Sequence, residues 1–300
     1  MTQAAFTSRY IPTADGLKLH LRDYGGVSSS TPPVVCLPGL SRTTADFAIL
    51  AEALAAMDGR RVLVIDARGR GLSDRDPDPR NYNPAIESGD VLTALAAMGV
   101  AEAIFVGTSR GGIVTMLLAP HHPELIRGVV LNDIGPVLER AGLERIRGYV
   151  GKLPQPRSWD EAVAVLKRIA GRDFTALRDA DWLHYAHLTF RDEDGRFAPV
   201  YDPALMHNVA AMDLDDIPTL WPQFEALGGV PVLVVRGENS DLLSVATAAE
   251  MRRRHPDCTL LSVPGQGHAP FLTDAPTVAA IRDFVARCSR SPRAPACPRP

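Results

Sequence analysis

The chain reads as an α/β protein: a mostly parallel central sheet flanked by helices, with an inserted helical cap. Three observations carry that expectation. Short β-branched apolar runs alternate with longer helical patterns, the mark of βαβ units. The runs VLVID and VVLN are apolar throughout instead of alternating, as strands buried on both faces must be. From about residue 135 to 215 this rhythm stops, and it resumes at VPVLVVRGENSD.

In chain order the first strand candidates are LKLHLRDY and VVCLP, followed by a helix over 43–57, the strand RVLVID and a helix over 84–98. The strand AIFVG runs into a helix that begins near 110, and IRGVVLND follows. Residues 135–215 read as all-helical and dotted with aromatics: Tyr149, Trp159, Trp182, Tyr185 and Phe190. Each of these aromatics either lines a pocket or belongs to the insertion's own core. Within this stretch RDEDGRF has the composition of a turn; its acids lack the spacing and the closing Glu of a calcium loop. The strand VPVLVVRG, a helix over 244–254, the strand TLLSVPG and a helix over 275–287 complete the chain. The expected organisation is a core from 1–134 and 216–288, a cap over 135–215, and a Pro- and Arg-rich disordered tail over 289–300.

Composition narrows the partners. Three hundred residues, 46% hydrophobic and 22% charged, suffice for one large core. A formal net charge of -3 leaves no positive excess to neutralise a phosphate backbone, so nucleic acid is not an expected partner. No stretch approaches the roughly 18 apolar residues of a membrane span, and MTQAAFTSRYIPTADG lacks a cationic start with an apolar run behind it. The expectation is a cytoplasmic protein acting on a small-molecule substrate, without membrane attachment; a homodimer is compatible with this composition. Cys36, Cys258, Cys288 and Cys297 show no CxxC spacing, which suits reduced thiols and not a zinc site.

One short segment carries chemistry. GTSRG, residues 107–111, matches G-x-S-x-G between a buried strand and an apolar helix, the context in which a serine stands exposed on a tight turn. The bland alternative is that Gly107 and Gly111 merely permit close packing while Ser109 caps the helix. A serine hydroxyl needs a base to take its proton, and the base needs a third group to fix its tautomer. His268, among glycines just after the last strand, fits the base, since catalytic groups of such sheets gather at the carboxyl ends of the strands. His121 and His122 end the helix after Ser109, and His184 and His187 lie in the insertion without ligand partners at metal spacing. Asp241, Glu238 and Asp133 all qualify as the acid. Asp241 is preferred, because it follows the strand before the histidine's own.

With these motifs in order, the chain resembles the α/β-hydrolase family over nearly its whole length. DARGRGLSD (66–74) is similar to the family's D-x-R-G-x-G-x-S segment, GTSRGG to its nucleophile elbow, VPVLVVRGENSDLL to its acid loop and VPGQGHAPFL to its histidine loop. The helical insertion would be the family's lid. The resemblance implies Ser109 as nucleophile, His268 as general base and then acid, and Asp241 as the group that orients it. It also implies an oxyanion hole from the backbone N–H groups of Leu40 and Arg110. Two departures stand out. Pro38-Gly39 replaces the frequent His-Gly, and Asp241 stands four residues after Gly237 where many members place the acid three after; some members use an acid at the position of Asp133.

The implied activity is hydrolysis of a carboxylic ester or lactone of a small molecule through an acyl-enzyme, with no metal or organic cofactor. Serine at the elbow argues against the dehalogenase and epoxide-hydrolase branches, which need a carboxylate nucleophile. Cleavage of a C–C bond in a β-diketone-like acid, and a ligand-binding role without catalysis, remain the alternatives. The Arg110 side chain has two readings: a helix residue facing outward and paired with a carboxylate such as Glu238, or an attractor of anionic substrates.

Overall fold

The computed structural model describes residues 6–26 and 31–290. An antiparallel hairpin opens the chain, β1 (Phe6–Pro12) with β2 (Lys18–Tyr24). β3 (Val34–Leu37), a short 3-10 turn, α1 (Ala48–Asp58), β4 (Val62–Ile65) and α2 (Pro84–Ala97) follow. Next come β5 (Ala103–Thr108), α3 (Arg110–Leu118) and β6 (Ile126–Asn132). Beyond β6 the chain leaves the sheet for α4 (Arg140–Tyr149), α5 (Trp159–Ala170), α6 (Asp179–Thr189) and the hairpin β7 (Phe190–Glu193) with β8 (Arg196–Pro199). The short helices α7 (Met206–Ala211) and α8 (Trp221–Glu225) lead back to β9 (Val232–Gly237), α9 (Val245–Arg254), β10 (Cys258–Val263) and α10 (Ala275–Arg290).

Eight strands form one sheet in the order β1-β2-β4-β3-β5-β6-β9-β10, parallel from β4 onward. The period of two along each strand explains why the runs are apolar throughout. Val35, Leu63, Phe105, Val129 and Val234 point to the face covered by α2, α3 and α9, where Val91, Val114 and Met251 join them. Their neighbours Val34, Val64, Ile104, Val130 and Val235 point to the other face, against Leu50 and Leu54 of α1 and Ile281 and Phe284 of α10. A polar residue at any of these positions would lie unpaired in a core.

Two expectations need correction. The insertion is not all-helical: β7 and β8 pair across Asp194 and Gly195, both with positive φ (53° and 84°), the geometry of a two-residue hairpin turn. The acidic run RDEDGRF is that turn, and Phe190 and Phe197 on its strands bury in the insertion's own cluster with Phe174 and Trp182. The tail was expected over 289–300, but Ser289 and Arg290 still belong to α10; residues 291–300 lie outside the described residues. The strand β1 escaped the sequence reading because five of its seven residues are exposed on the edge of the sheet. Among the described residues no helix is long and apolar enough to cross a membrane.

The turn from β5 into α3 is the tightest place in the fold. A Cβ at Gly111 would stand 2.0 Å from the Leu37 carbonyl oxygen, and one at Gly107 would stand 2.6 Å from the backbone of Gly112. Both obstacles are backbone, which has nowhere to go, so α3 crosses β3 and β5 at a distance only glycine allows. Gly111→Ala is therefore expected to cost at least the roughly 1–3 kcal/mol of an overpacked core. Gly89, exposed in α2 with nothing within 4 Å of its missing Cβ, is the opposite case. Gly89→Ala should stabilise by about 0.5–1 kcal/mol, and urea unfolding of both variants measures the contrast.

Candidate active site

Four loops at the carboxyl ends of the parallel strands meet over the sheet: those after β3, β5, β6 and β10. Ser109 sits between β5 and α3 with φ 50° and ψ −113°, a strained conformation for a residue with a side chain. Its N–H donates to the Asn132 carbonyl, 3.0 Å away at the end of β6, and its carbonyl accepts from Gly112 and Ile113 at the start of α3. The hydroxyl is thereby held at a fixed point above the sheet.

The Ser109 Oγ lies 2.9 Å from His268 Nε2, and His268 Nδ1 lies 2.9 Å from an Asp133 carboxylate oxygen. An ionised carboxylate only accepts, so Nδ1 carries the proton and Nε2 is free to accept from the serine hydroxyl. Asp133 has no exposed surface. Its charge is met by three donors: the Gly237 N–H at 2.8 Å, the Ser240 hydroxyl at 2.5 Å and the His268 ring. Its backbone is left-handed, φ 55°, a conformation that Asp tolerates better than most residues.

The expected acid, Asp241, does not reach the histidine. Its carboxylate takes both prongs of the Arg145 guanidinium at 2.6 and 2.8 Å, and so ties the loop after β9 to α4. Burial opposes ionisation of Asp241, but the hydrogen bonds and charge of Arg145 outweigh it and hold the carboxyl below its ordinary value. Glu238 accepts from the Gly265 N–H at 2.8 Å. Of the three candidate acids, Asp133 alone bonds to His268. Its signal in the sequence was the neighbouring serine: Ser240, one residue before Asp241, is what the acid loop contributes to the carboxylate.

The oxyanion candidates lie on the two segments that flank the serine. Leu40 lines the same cavity as Ser109 and His268, and Arg110 is the first residue of α3. Among the described residues neither backbone N–H has a protein acceptor. The Arg110 side chain, however, faces neither solvent nor the cavity. Only 14% exposed, it runs inward to an ion pair with the buried Glu87 at 3.2 Å and donates to the Tyr82 carbonyl at 2.9 Å. Its carboxylate partner is thus Glu87 and not Glu238, and it is not placed to attract substrates.

The cavity measures about 80 Å³ and is lined by Leu40, Phe47, Ile146, Phe174, Phe271 and Leu272, with polar groups from Arg42, Asp46, Tyr149 and Tyr185. It is small beside the roughly 300–1,000 Å³ of sites for drug-sized ligands. Of the aromatics singled out in the insertion, Tyr149 and Tyr185 reach it, while Trp182 and Phe190 are buried in the insertion's cluster. Trp159 packs against the His187 ring at 3.8 Å and against Phe197, outside the cavity. Burial pushes the Tyr149 phenol up to about 12, which keeps it a neutral donor. Arg42, which the sequence reading passed over, is the arginine that does line the cavity. It is held by Asp46 and Thr189 and lies 4.8 Å from the Tyr185 ring centre. Two residues beyond Leu40 in PGLSR, it was within reach of a reading that followed the oxyanion loop outward. Among the described residues no group of three or more His, Cys, Asp or Glu side chains is arranged to hold a metal ion.

Comparison with known proteins places the chain in a family. Residues 32–275 match the model of the alpha/beta hydrolase fold. A 3-hydroxybutyrate-oligomer hydrolase from Cupriavidus necator is 34% identical over 259 residues, 84% of this chain and 87% of that protein. A 2-(acetamidomethylene)succinate hydrolase from Mesorhizobium japonicum is 29% identical over 270 residues, 90% of this chain and 92% of that one. The crystal structure of an alpha/beta hydrolase from Novosphingobium aromaticivorans superposes with a TM-score of 0.88 at 41% identity, covering 95% of this chain and 99% of the other.

Two substitutions separate the carboxylates. Asp133→Asn should leave the protein folded and lower kcat on the order of 10⁴-fold, as when a triad acid is replaced by its amide and the imidazole takes the wrong tautomer. Asp241→Asn should leave kcat within a few-fold but cost roughly 1–3 kcal/mol of stability by breaking the Arg145 pair. Because the folded pKa of Asp241 is depressed, that contribution is full above about pH 5 and fades as pH falls through the folded value. Unfolding curves of wild type and Asp241→Asn should therefore converge in acid, and steady-state kinetics read the Asp133 effect.

Proposed function

The chain belongs to the α/β-hydrolase fold family and is a hydrolase; from that premise we propose that it cleaves a carboxylic ester or lactone of a small molecule through an acyl-enzyme on Ser109. The observation that carries the reading is the relay of two 2.9 Å contacts from Ser109 through His268 to Asp133. It supplies a nucleophile, a base of the right tautomer, and a buried anion to stabilise the imidazolium that forms.

The Ser109 oxygen attacks the scissile carbonyl and its proton passes to His268 Nε2. The negative charge then growing on the carbonyl oxygen is met by the N–H groups of Leu40 and Arg110, a contribution of about 3 kcal/mol per donor in hydrolases where one has been removed. Collapse of the tetrahedral intermediate breaks the bond to the alkoxide, which takes the proton from His268 and leaves as the alcohol. Water repeats the sequence on the acyl-enzyme: its proton goes to His268 and then to Ser109 as the acid departs.

The cavity favours a short acyl group. Its walls mix apolar and polar groups, and its volume of about 80 Å³ does not accommodate a long chain unless the insertion moves. The Cupriavidus relative is named for oligomers of 3-hydroxybutyrate, which are short esters with a second oxygen near the scissile bond. Arg42 and the phenols of Tyr149 and Tyr185 are donors that suit such an oxygen. Purified protein should turn over p-nitrophenyl acetate and butyrate, and 3-hydroxybutyrate dimers faster than long-chain esters. Ser109→Ala should lose at least roughly 10³-fold in kcat and all stoichiometric labelling by an organophosphonate. A Ser109→Ala protein that kept most of its turnover would sink the mechanism.

A further inference from the structure

We propose that Glu87, a buried carboxylate that touches no substrate, is a positioning residue that aligns the two halves of the oxyanion hole through the arginines it binds. Glu87 lies in the first turn of α2 with a side chain only 2% exposed, among the least expected places for a charge. One carboxylate oxygen is 2.9 Å from the Arg70 guanidinium and the other is 3.2 Å from that of Arg110. Each arginine belongs to one side of the site. Arg70, 1% exposed, donates from Nε to the Leu40 carbonyl at 2.8 Å, one Cα away from the Leu40 N–H. Arg110 carries the second N–H on its own backbone. A single anion thus restrains both segments from outside the cavity, whose lining includes neither Glu87 nor the two arginines.

The surroundings make the restraint specific. Glu87 sits near the positive end of α2, whose first turn is capped by Asn83. Burial opposes its ionisation, but the charges of Arg110 and Arg70 outweigh that effect and hold the carboxyl below its ordinary value. Behind it, Arg68 takes Asp90 at 2.6 and 2.7 Å and Asp76 at 2.6 Å, so the buried Arg68 and Arg70, together with the partly exposed Arg110, stand against three buried carboxylates. Removing the charge of Glu87 alone leaves Arg70 and Arg110 facing each other across the gap. The Leu40 carbonyl and the first turn of α3 are the parts free to shift in response.

The same network meets the insertion. The Tyr82 carbonyl that holds Arg110 also accepts from Asn208, and the Tyr82 hydroxyl bonds to Asp202 at 2.6 Å. Gly71 and Gly69 pair through their backbones with Val200 and Asp202. The oxyanion segments are therefore braced against the same elements that carry the cavity's lid.

The proposal rests on the serine mechanism above, so the test reads the two separately. Glu87→Gln keeps the shape and removes the charge. With p-nitrophenyl butyrate it should lower kcat by about 10–100-fold, less than the roughly 10²–10³-fold of a lost oxyanion donor because both donors are displaced and not removed, while KM stays within about three-fold. The inhibition constant of a trifluoromethyl ketone, whose hemiketal oxyanion reads the hole directly, should rise by the same factor. Arg110→Met should behave alike. The double variant Glu87→Gln with Arg110→Met removes one charge of each sign, so it should regain thermal stability yet stay slow; it also decides the matter if Glu87→Gln alone fails to fold. A purely structural role predicts lowered Tm with unchanged kcat and inhibition constant well below Tm, or full recovery of kcat in the double variant, and either result overturns the proposal. A wild type that neither turns over esters nor labels at Ser109 sinks the serine mechanism, and this proposal with it. An active wild type with indifferent variants sinks the positioning role alone.

Discussion

The approach of α3 to β3 is the constraint on which the rest of the site depends. Where the Gly111 Cα passes the Leu37 carbonyl there is no room for a methyl group, and the chain must turn from strand to helix within one residue. Ser109 is that residue, and its positive φ is stable only because β5, β6 and α3 over-determine its place through backbone hydrogen bonds. The same close approach brings the loop after β3, with Leu40, to the flank of the serine. The positions of Ser109 and of the Leu40 loop are consequences of one packing contact.

Charges in this protein divide by depth. On the sheet side of the site a set of arginines and carboxylates lies buried and nearly neutral as a group, with Arg68, Arg70, Glu87 and Asp90 all less than one-tenth exposed. Such groups are expensive to bury and rarely improve stability over an apolar core, so their presence calls for a geometric purpose. Here they fix segments that border the site: the loop over 66–76, the Leu40 carbonyl and the first residue of α3. On the cavity side the charges are few. Arg42 is matched by Asp46, and what faces Ser109 is otherwise apolar or phenolic.

Asp133 and Asp241 show how a chain-order argument goes astray. Both end or follow a strand, both lie near the histidine loop, and both carry a pairing that lowers the cost of a buried charge. Asp241 is drawn away by Arg145, a residue of the insertion whose contribution no local pattern announces. Asp133 is drawn in by the Gly237 N–H and the Ser240 hydroxyl, which belong to the very loop where the acid was sought. The acid loop is present and engaged, but as the support of a carboxylate from the neighbouring strand.

By itself the sequence determined what depends on local pattern. Apolar runs with no polar face could only be strands covered on both sides, G-x-S-x-G between such a run and a helix could only be a tight turn, and His268 after the last strand could only stand at the same end of the sheet. The hairpin β7–β8 hid in a helical stretch because its strands are four residues each, too short for a period to show. The tertiary structure decided what depends on partners distant in the chain: which carboxylate meets His268, 135 residues from Asp133, and that Arg110 turns inward to Glu87. An ion pair or a hydrogen bond is made by whichever groups the fold brings within about 3 Å, and that choice is invisible until the strands are laid side by side.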